Sequence, residues 1–265
     1  MSTCVCVAMD ASASSTPGQV EAAPVTCVEV ERVLSLLAEG RMALLGQILE
    51  SSNAIFLVRV DDGDLQGLAI YKPGRGERPL WDFDHGTLCR REVAAYLVSQ
   101  ILGWPHVPPT VLRDGPHGPG AVQLYIDAEV ESTYFTLCGE RQADLLPVAL
   151  FDVLVNNADR KGGHLLLDHG GRLWAIDNAL SFHCQAKLRT VIWEFAGQPV
   201  PEAYLADLRR LRDGLVERGE AWHALDCLLD ESEIVALQQR VEVLLSAPVF
   251  PHPDPSRRQV PWPIV

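Results

Sequence analysis

The sequence has little positive charge, and this lack argues against a protein that binds nucleic acid. It contains 22 Lys and Arg residues against 35 Asp and Glu residues, so its formal net charge is −13 at pH 7. A nucleic-acid-binding protein must present an excess of cations to the phosphates on at least one face. We therefore expect no nucleic acid among the partners. The same acidic charge makes association with anionic membranes doubtful.

Long apolar runs and paired cysteines are also lacking. No segment approaches the roughly 18 apolar residues that a transmembrane helix requires. The N-terminus has no basic region followed by an apolar one, as a secretory leader would have. The seven cysteines are scattered, and only Cys4 and Cys6 lie close together, so neither a zinc site nor a disulfide framework is indicated. These absences predict a cytoplasmic protein with reduced thiols.

What the sequence does contain is a β-rich first half followed by a helix-rich second half. Strand patterns separated by turn residues occupy 42–71 and 107–126, with a helical pattern at 87–102 between them. Helical patterns dominate after residue 142. This order predicts an α+β protein with two lobes and a cleft between them. The expected parts are a disordered tail (1–26), an N-lobe (27–128), a C-lobe (129–247) and an extended Pro-rich tail (248–265).

A lysine and a glutamate in the first half are candidates for a nucleotide-binding pair. Lys72 ends the third strand pattern, and Glu92 lies on the helix that follows. In kinases, a helix Glu holds the strand Lys that binds ATP phosphates, although a lone Lys at a strand end is more often simply solvated. The predicted hairpin tip at Ser51 and Ser52 also has two interpretations. It either closes a turn or covers phosphates with backbone N–H groups.

The stretch 151–183 places two carboxylates at the ends of apolar segments. Asp159 follows a helical pattern and precedes Arg160, and Asp177 follows a predicted strand. A predicted hairpin joins them, so both carboxylates are expected near its ends, where they could share one Mg²⁺. Asp159 would then accept or orient a hydroxyl proton, and Arg160 would hold a loop carbonyl or carboxylate. The competing interpretation is that each Asp only caps a turn.

These segments resemble a known group of kinases. The motif NADR at 157–160, followed by AIDNALSFH at 175–183, looks like the catalytic and metal-binding segments of type II phosphatidylinositol 4-kinases. More broadly it resembles the phosphatidylinositol 3-/4-kinase superfamily and the bacterial HipA-like kinases. YKP at 71–73 and LRTVIWEFAGQPVP at 188–201 extend the similarity. The resemblance covers about residues 55–201 and suggests an actinobacterial branch of this group.

The resemblance implies a protein-kinase-like fold and a role for individual residues. Lys72 would bind the phosphates of ATP, and Glu92 would position Lys72. Asp159 would be the catalytic carboxylate with Arg160 beside it, and Asp177 would bind Mg²⁺. The adenine-binding hinge would comprise the end of a strand and the residues after it, namely Gln123, Tyr125, Ile126 and Asp127.

One residue departs from the family pattern. The family usually has an Asn five residues after the catalytic Asp, as a second metal ligand, and this chain has His164 there. Imidazole favours Zn²⁺ or Mn²⁺ over Mg²⁺, so Mn²⁺ is an alternative cofactor. Two hypotheses follow. The protein is an ATP- and metal-dependent phosphotransferase with Asp177 and His164 at the metal, or it is a non-catalytic nucleotide-binding pseudokinase or scaffold. The acceptor (protein, small molecule or lipid) stays open.

Overall fold

The computed structural model describes residues 4–8, 25–49, 53–104, 106–129 and 131–265, which divide into two compact units. Unit 1 comprises the described residues up to Val93 together with Pro108–Asp127. Unit 2 comprises the described residues of Ala94–Val107 and of Ala128–Val265. A β-rich first unit and a mainly helical second unit make a two-lobed fold, as the order of the sequence patterns predicts.

The N-terminal part of unit 1 is a two-stranded antiparallel sheet followed by a helix. Strand β1 (Cys4–Ala8) pairs with β2 (Val25–Glu29), and helix α1 (Val30–Glu39) follows directly. Val5 and Val7 are buried, because alternate valines give β1 an apolar face. Residues 4–8 and 25–26 thus form strands where the sequence analysis expects a disordered tail. Residues 9–24 lie outside the described part of the chain.

A five-stranded antiparallel sheet forms the centre of unit 1. Its strands are β3 (Arg41–Ile48), β4 (Ile55–Asp61), β5 (Gln66–Pro73), β6 (Thr110–Gly115) and β7 (Gly118–Leu124). The order across the sheet is β3-β4-β5-β7-β6, so β5 is the central strand. Gly63 at the β4–β5 turn has φ +96°, and its N–H donates to Asp61 at 2.8 Å, as the predicted turn requires.

Helix α2 (Leu88–Leu102) runs across the division between the units. The buried Glu77 caps its start, accepting hydrogen bonds from the backbone N–H groups of Gly86 at 2.8 Å and Cys89 at 2.9 Å. Gly103, with φ +73°, follows its last turn.

Unit 2 is built mainly from helices around one short hairpin. In chain order its elements are α3 (Tyr134–Leu137), α4 (Gln142–Val155), β8 (Leu165–Leu167), β9 (Leu173–Ala175), α5 (Glu202–Val216), α6 (Glu220–Asp226) and α7 (Glu231–Ser246). Helix α4 is the buried one, and its fully buried side chains include Leu145, Leu150 and Leu154. The segment 94–107 belongs to this unit because the Trp104 indole donates to Asp207 of α5 at 2.9 Å.

The chain beyond α7 is an extended segment without a further helix or strand. Phe250 is buried, and its ring lies 5.7 Å from that of Phe195. The carbonyl of Gln259 accepts hydrogen bonds from the backbone of Thr190 at 3.1 Å and the indole of Trp193 at 3.1 Å. Among the described residues, no helix is long and apolar enough to cross a membrane.

Candidate active site

Unit 1 holds the lysine–glutamate pair that the sequence predicts. Strand β5 alternates between buried and half-exposed residues, and Lys72 lies on its half-exposed face near the strand end. The ammonium Nζ of Lys72 lies 2.5 Å from Oε1 of Glu92 on α2. The side chains are 15% and 1% exposed, so the pair is shielded from water. An ion pair shielded in this way fixes the lysine ammonium more firmly than a surface pair would.

The predicted hinge lies at the end of unit 1. Gln123 is in β7, and its buried amide donates to the hydroxyl of Thr110 at 2.9 Å, so this side chain is used within the sheet. Tyr125 donates its backbone N–H to Leu68 at 3.1 Å, Ile126 is buried and Asp127 is exposed. The binding of adenine here stays a prediction. Ser51 and Ser52, the predicted phosphate-covering tip, lie outside the described residues.

In unit 2, the loop that carries Asp159 is held rigidly at the end of α4. Asn156 ends the helix in the left-handed conformation, with φ 57°, which Asn tolerates better than most residues. The next residue, Asn157, is buried and uses both ends of its amide. Its Nδ2 donates to Asp152 at 3.1 Å, and its Oδ1 accepts the backbone N–H of Asp159 at 2.9 Å. The position of Asp159 is therefore set by backbone and side-chain bonds together.

Arg160 is a positioning residue in this structure. It and Asp152 are both 0% exposed, and its Nε and Nη2 donate to that carboxylate at 2.9–3.1 Å. The remaining bonds run to the Ile176 carbonyl at 2.7 Å and to the Asn178 side chain at 2.5 Å. Since these residues flank Asp177, Arg160 ties both sides of Asp177 to α4. The sequence analysis expects Arg160 to hold a loop carbonyl or a carboxylate, and in the structure it donates to the Ile176 carbonyl and to the Asp152 carboxylate.

The carboxylate of Asp159 lies in a mixed electrostatic environment. Its Oδ2 is 3.3 Å from Nζ of Lys161, and the two side chains are 24% and 21% exposed. Burial raises the pKa of Asp159 above its ordinary value, and the negative charge of Asp177 raises it further. Lys161 and Arg189 act in the opposite direction and lower the pKa. A carboxylate with a raised pKa is a stronger proton acceptor than an ordinary aspartate.

Asp177 and His164 face each other. Asp177 has φ 56°, a left-handed backbone conformation that is uncommon outside glycine and clusters at functional sites. Its Oδ2 lies 3.3 Å from Nε2 of His164, whose Nδ1 accepts the backbone N–H of Lys161 at 3.4 Å. An imidazole that accepts at Nδ1 carries its hydrogen on Nε2, so this tautomer donates to Asp177. His164 thereby orients the carboxylate of Asp177.

The side chains around Asp177 bear on whether a divalent metal can bind there. Among the described residues, no group of three or more His, Cys, Asp and Glu side chains gathers in a way that could hold a metal ion. Mg²⁺ does not need such a cage, because it is usually bound through one or two carboxylates, waters and substrate phosphates. The side chain of Asp177 is 42% exposed and fits that mode of binding. Because the backbone N–H of Lys161 points at Nδ1, a neutral His164 ring carries its hydrogen on Nε2, so the geometry favours an orienting role for it.

Several residues that support this site escaped the sequence reasoning. Asn178 directly follows Asp177, and the dipeptide Asp-Asn was a visible signal for it. Asp152 lies on the helical face that points inward, and the pattern alone marks it only as an acid within an apolar helix. Lys161 and Arg189 gave no signal, because their proximity to Asp159 depends on the fold.

Comparisons with known proteins agree with this architecture. No family model matches the chain. A Mycobacterium tuberculosis protein, Protein Rv2133c, is 39% identical to it over 86% of this chain and 94% of that protein. Among solved structures, hydra Fam20 with sugar matches with a TM-score of 0.54 at 15% identity, covering 82% of this chain and 87% of that one.

Two further solved structures share the fold. The Golgi casein kinase with Mn/ADP bound matches with a TM-score of 0.51 at 12% identity, over 82% of this chain and 74% of that one. The Helicobacter pylori proinflammatory kinase CtkA matches with a TM-score of 0.50 at 11% identity, over 81% and 94%. At these identities the likeness shows the fold alone, which is kinase-like.

Proposed function

The chain belongs to the same family as the Mycobacterium tuberculosis protein Rv2133c, and from that premise and its kinase-like fold we propose that it is a phosphotransferase. It would move the γ-phosphate of ATP to a hydroxyl group of an acceptor. The observation that carries the proposal is the shielded ion pair of Lys72 with Glu92. A strand lysine held by a helix glutamate is the arrangement that binds ATP phosphates in kinases. The hinge around residues 123–127 would receive the adenine.

The residues of unit 2 would serve the transfer itself. Asp159 would accept the proton of the acceptor hydroxyl as that oxygen bonds to the γ-phosphorus. The bond from the γ-phosphorus to its bridging oxygen breaks, and ADP leaves with that electron pair. Lys161, 3.3 Å from Asp159, would offset negative charge there. Asn157 and Arg160 would keep Asp159 and Asp177 in place through the bonds described above.

A divalent metal would be held by Asp177, with His164 orienting that carboxylate. Such an ion neutralises charge on the phosphate oxygens. Mg²⁺ is the first expectation, because the exposed carboxylate suits its mode of binding, and Mn²⁺ is the second.

Within the kinase-like folds, we place the chain in the phosphatidylinositol 3-/4-kinase-like group. The motifs NADR and AIDN support this placement, because they supply the catalytic and metal-binding residues in the order that this group has them. Its action in the cytoplasm stays a prediction, and a protein, a small molecule and a lipid all remain candidate acceptors.

The second candidate is a nucleotide-binding protein that does not transfer phosphate. One observation favours it: the residue where the group has a second metal ligand is His164, which donates to Asp177 in the observed arrangement. A metal held by a single carboxylate would be bound weakly in the absence of substrate phosphates.

Nucleotide binding and turnover separate the two candidates. Thermal unfolding of the full chain would be followed with ATP and Mg²⁺ or Mn²⁺, and the formation of ADP would be measured in parallel. We expect stabilisation by nucleotide, and turnover that falls by at least about 100-fold in Asp177→Asn and in Lys72→Met. Arg209→Gln, which removes an exposed arginine paired with Glu202, is the matched control and should retain both.

The outcomes are distinct. Stabilisation by nucleotide without turnover, under either metal, would select the non-catalytic candidate. Absence of any nucleotide-dependent stabilisation would refute both. The chain contains only three lysines, Lys72, Lys161 and Lys187. Labelling with a lysine-reactive ATP analogue, followed by mass spectrometry, would therefore show directly whether Lys72 lies at the nucleotide.

A further inference from the structure

Arg189 is anchored beside Asp159 by its backbone. Its N–H donates to the carbonyl of Asn157 at 2.9 Å, and its carbonyl accepts the N–H of Arg160 at 3.0 Å. Asn157 lies two residues before Asp159, and Arg160 lies one residue after it. Because both bonds are to the loop that carries Asp159, the position from which the Arg189 side chain starts is fixed relative to that carboxylate.

Among the described residues, the guanidinium of Arg189 has no partner. Its Nε is buried and makes no hydrogen bond to any of them. Over the described part of the chain, the structure gives this guanidinium neither a hydrogen bond nor an ion pair. The neighbouring Arg160 differs, because it bonds to Asp152, Ile176 and Asn178. A buried donor without an acceptor costs free energy, and an oxyanion of a bound molecule would offset that cost.

The electrostatic surroundings of Arg189 are also informative. It is close enough to Asp159 to lower the pKa of that carboxyl. The two side chains do not form an ion pair, however, and among the described residues it is Lys161 that lies 3.3 Å from Oδ2 of Asp159. The Nη donors of the guanidinium therefore stay available to another oxyanion, whereas Nε is buried. Guanidinium presents five N–H donors in a planar fork that matches a phosphate or a carboxylate.

We propose that Arg189 binds an anionic group, a phosphate or a carboxylate, of the acceptor molecule. The acceptor is thus a hydroxyl compound that carries a negative charge near the hydroxyl to be phosphorylated. This inference rests on the proposed function, since it takes Asp159 as the group that orients the acceptor hydroxyl. The acceptor is favoured over the γ-phosphate of ATP because the backbone bonds of Arg189 surround Asp159, whereas Asp177 is held by Arg160 and His164.

The test uses inorganic phosphate as the probe and the full chain as the protein. Thermal unfolding would be followed over a phosphate titration, at constant ionic strength adjusted with chloride. Parallel series would be run with and without a non-hydrolysable ATP analogue, and Mg²⁺ would be present in both. We expect phosphate to stabilise the nucleotide-bound protein. The midpoint of its titration should rise at least tenfold in Arg189→Gln and rise less in Arg189→Lys, which keeps the charge but not the fork. Arg209→Gln should behave as the unmodified chain.

Each outcome decides the proposal. A tenfold weakening confined to the Arg189 variants supports it. The proposal is overturned if phosphate binds Arg189→Gln with the same midpoint as the unmodified chain. It is also overturned if phosphate does not bind in the presence of the analogue. Phosphate that binds only without the analogue and competes with it would assign Arg189 to the γ-phosphate instead. Failure of the analogue itself to stabilise the unmodified chain would refute the proposed function, and that result is read in the same samples without phosphate.

Discussion

At the scale of single residues, two neighbouring arginines with opposite surroundings allow a matched comparison. Arg160 is fully buried against Asp152, whereas the Arg189 guanidinium has no partner among the described residues. Removing one member of a buried ion pair typically costs about 3–5 kcal/mol, because the other charge stays buried without compensation. We predict that Arg160→Gln lowers the free energy of unfolding by about that amount, and that Arg189→Gln leaves it unchanged or raises it. Urea unfolding of both variants measures this, and equal losses would contradict the assigned networks.

The pH dependence of turnover is a second residue-level prediction. Burial raises the pKa of Asp159, and activity requires its ionised form, so activity should fall as the pH drops through this raised pKa. Lys161 lowers that pKa, so Lys161→Met should raise it further and move the acidic limb of kcat/KM toward neutral pH. Arg209→Gln, which removes an exposed arginine paired with Glu202, is the control. An acidic limb that does not move in Lys161→Met would show that another group controls it.

The residue scale also shows where sequence reasoning stops. The pairing of Lys72 with Glu92 followed from their order and their element types, because a strand Lys and a helix Glu have a known structural relation. The role of His164 did not follow, because it depends on which ring nitrogen accepts the backbone N–H of Lys161. No sequence pattern marked Arg189, because its proposed role rests on a guanidinium without a partner among the described residues, and only the structure shows that.

At the scale of elements, close contact between β5 and β7 determines where Lys72 lies. A Cβ added at Gly120 of β7 would lie 2.6 Å from the backbone oxygen of Lys72 and 2.7 Å from Pro73. Neither backbone atom can move without shifting β5, so we predict that Gly120→Ala costs about 1–3 kcal/mol of unfolding free energy and weakens nucleotide binding. Gly46→Ala in β3 is the control, because nothing lies within 4 Å of the added atom. A Gly120→Ala variant as stable as Gly46→Ala would contradict this packing.

The helices and strands themselves were largely predictable, because turn residues and glycines in the sequence mark where they end. The turn at Asp61 to Gly63 and the glycine at 103 end their elements where the sequence indicates, and α4 runs from Gln142 to Val155 as its apolar spacing predicts. Strand β1 was missed because five residues with two alternating valines give too weak a signal. Residues 4–8 form a strand because they pair with β2, which lies about twenty residues further along the chain.

At the scale of the whole molecule, the order of β-rich and helix-rich parts was enough to predict a two-lobed fold. That order was not enough to predict which residues belong to each unit. Residues 94–107 belong to unit 2 through contacts such as that between Trp104 and Asp207. These contacts link positions about one hundred residues apart, and local patterns carry no information on them.

The extended C-terminal segment leads to a prediction about the whole of unit 2. Its Gln259 carbonyl accepts from the buried Thr190, and its Ile264 carbonyl accepts the N–H of Gly162 at 2.8 Å. Gly162 lies in the turn between Asp159 and His164, so the end of the chain supports the turn that separates these two side chains. A chain ending at residue 258 would leave both N–H groups without these partners. We predict a loss of about 1–3 kcal/mol of unfolding free energy, together with reduced turnover.

A chain ending at residue 247 would also lose the buried Phe250 and its packing on Phe195, and should be destabilised further, by about 3 kcal/mol or more. Trp262→Ala is the matched control, since this side chain is 74% exposed and its loss removes no buried contact of comparable size. Urea unfolding and ADP formation would be measured for all three variants. If the chain ending at 258 keeps both full stability and full turnover, the segment does not support the Gly162 turn. If it keeps stability but loses turnover, the turn acts on the chemistry without contributing to the fold.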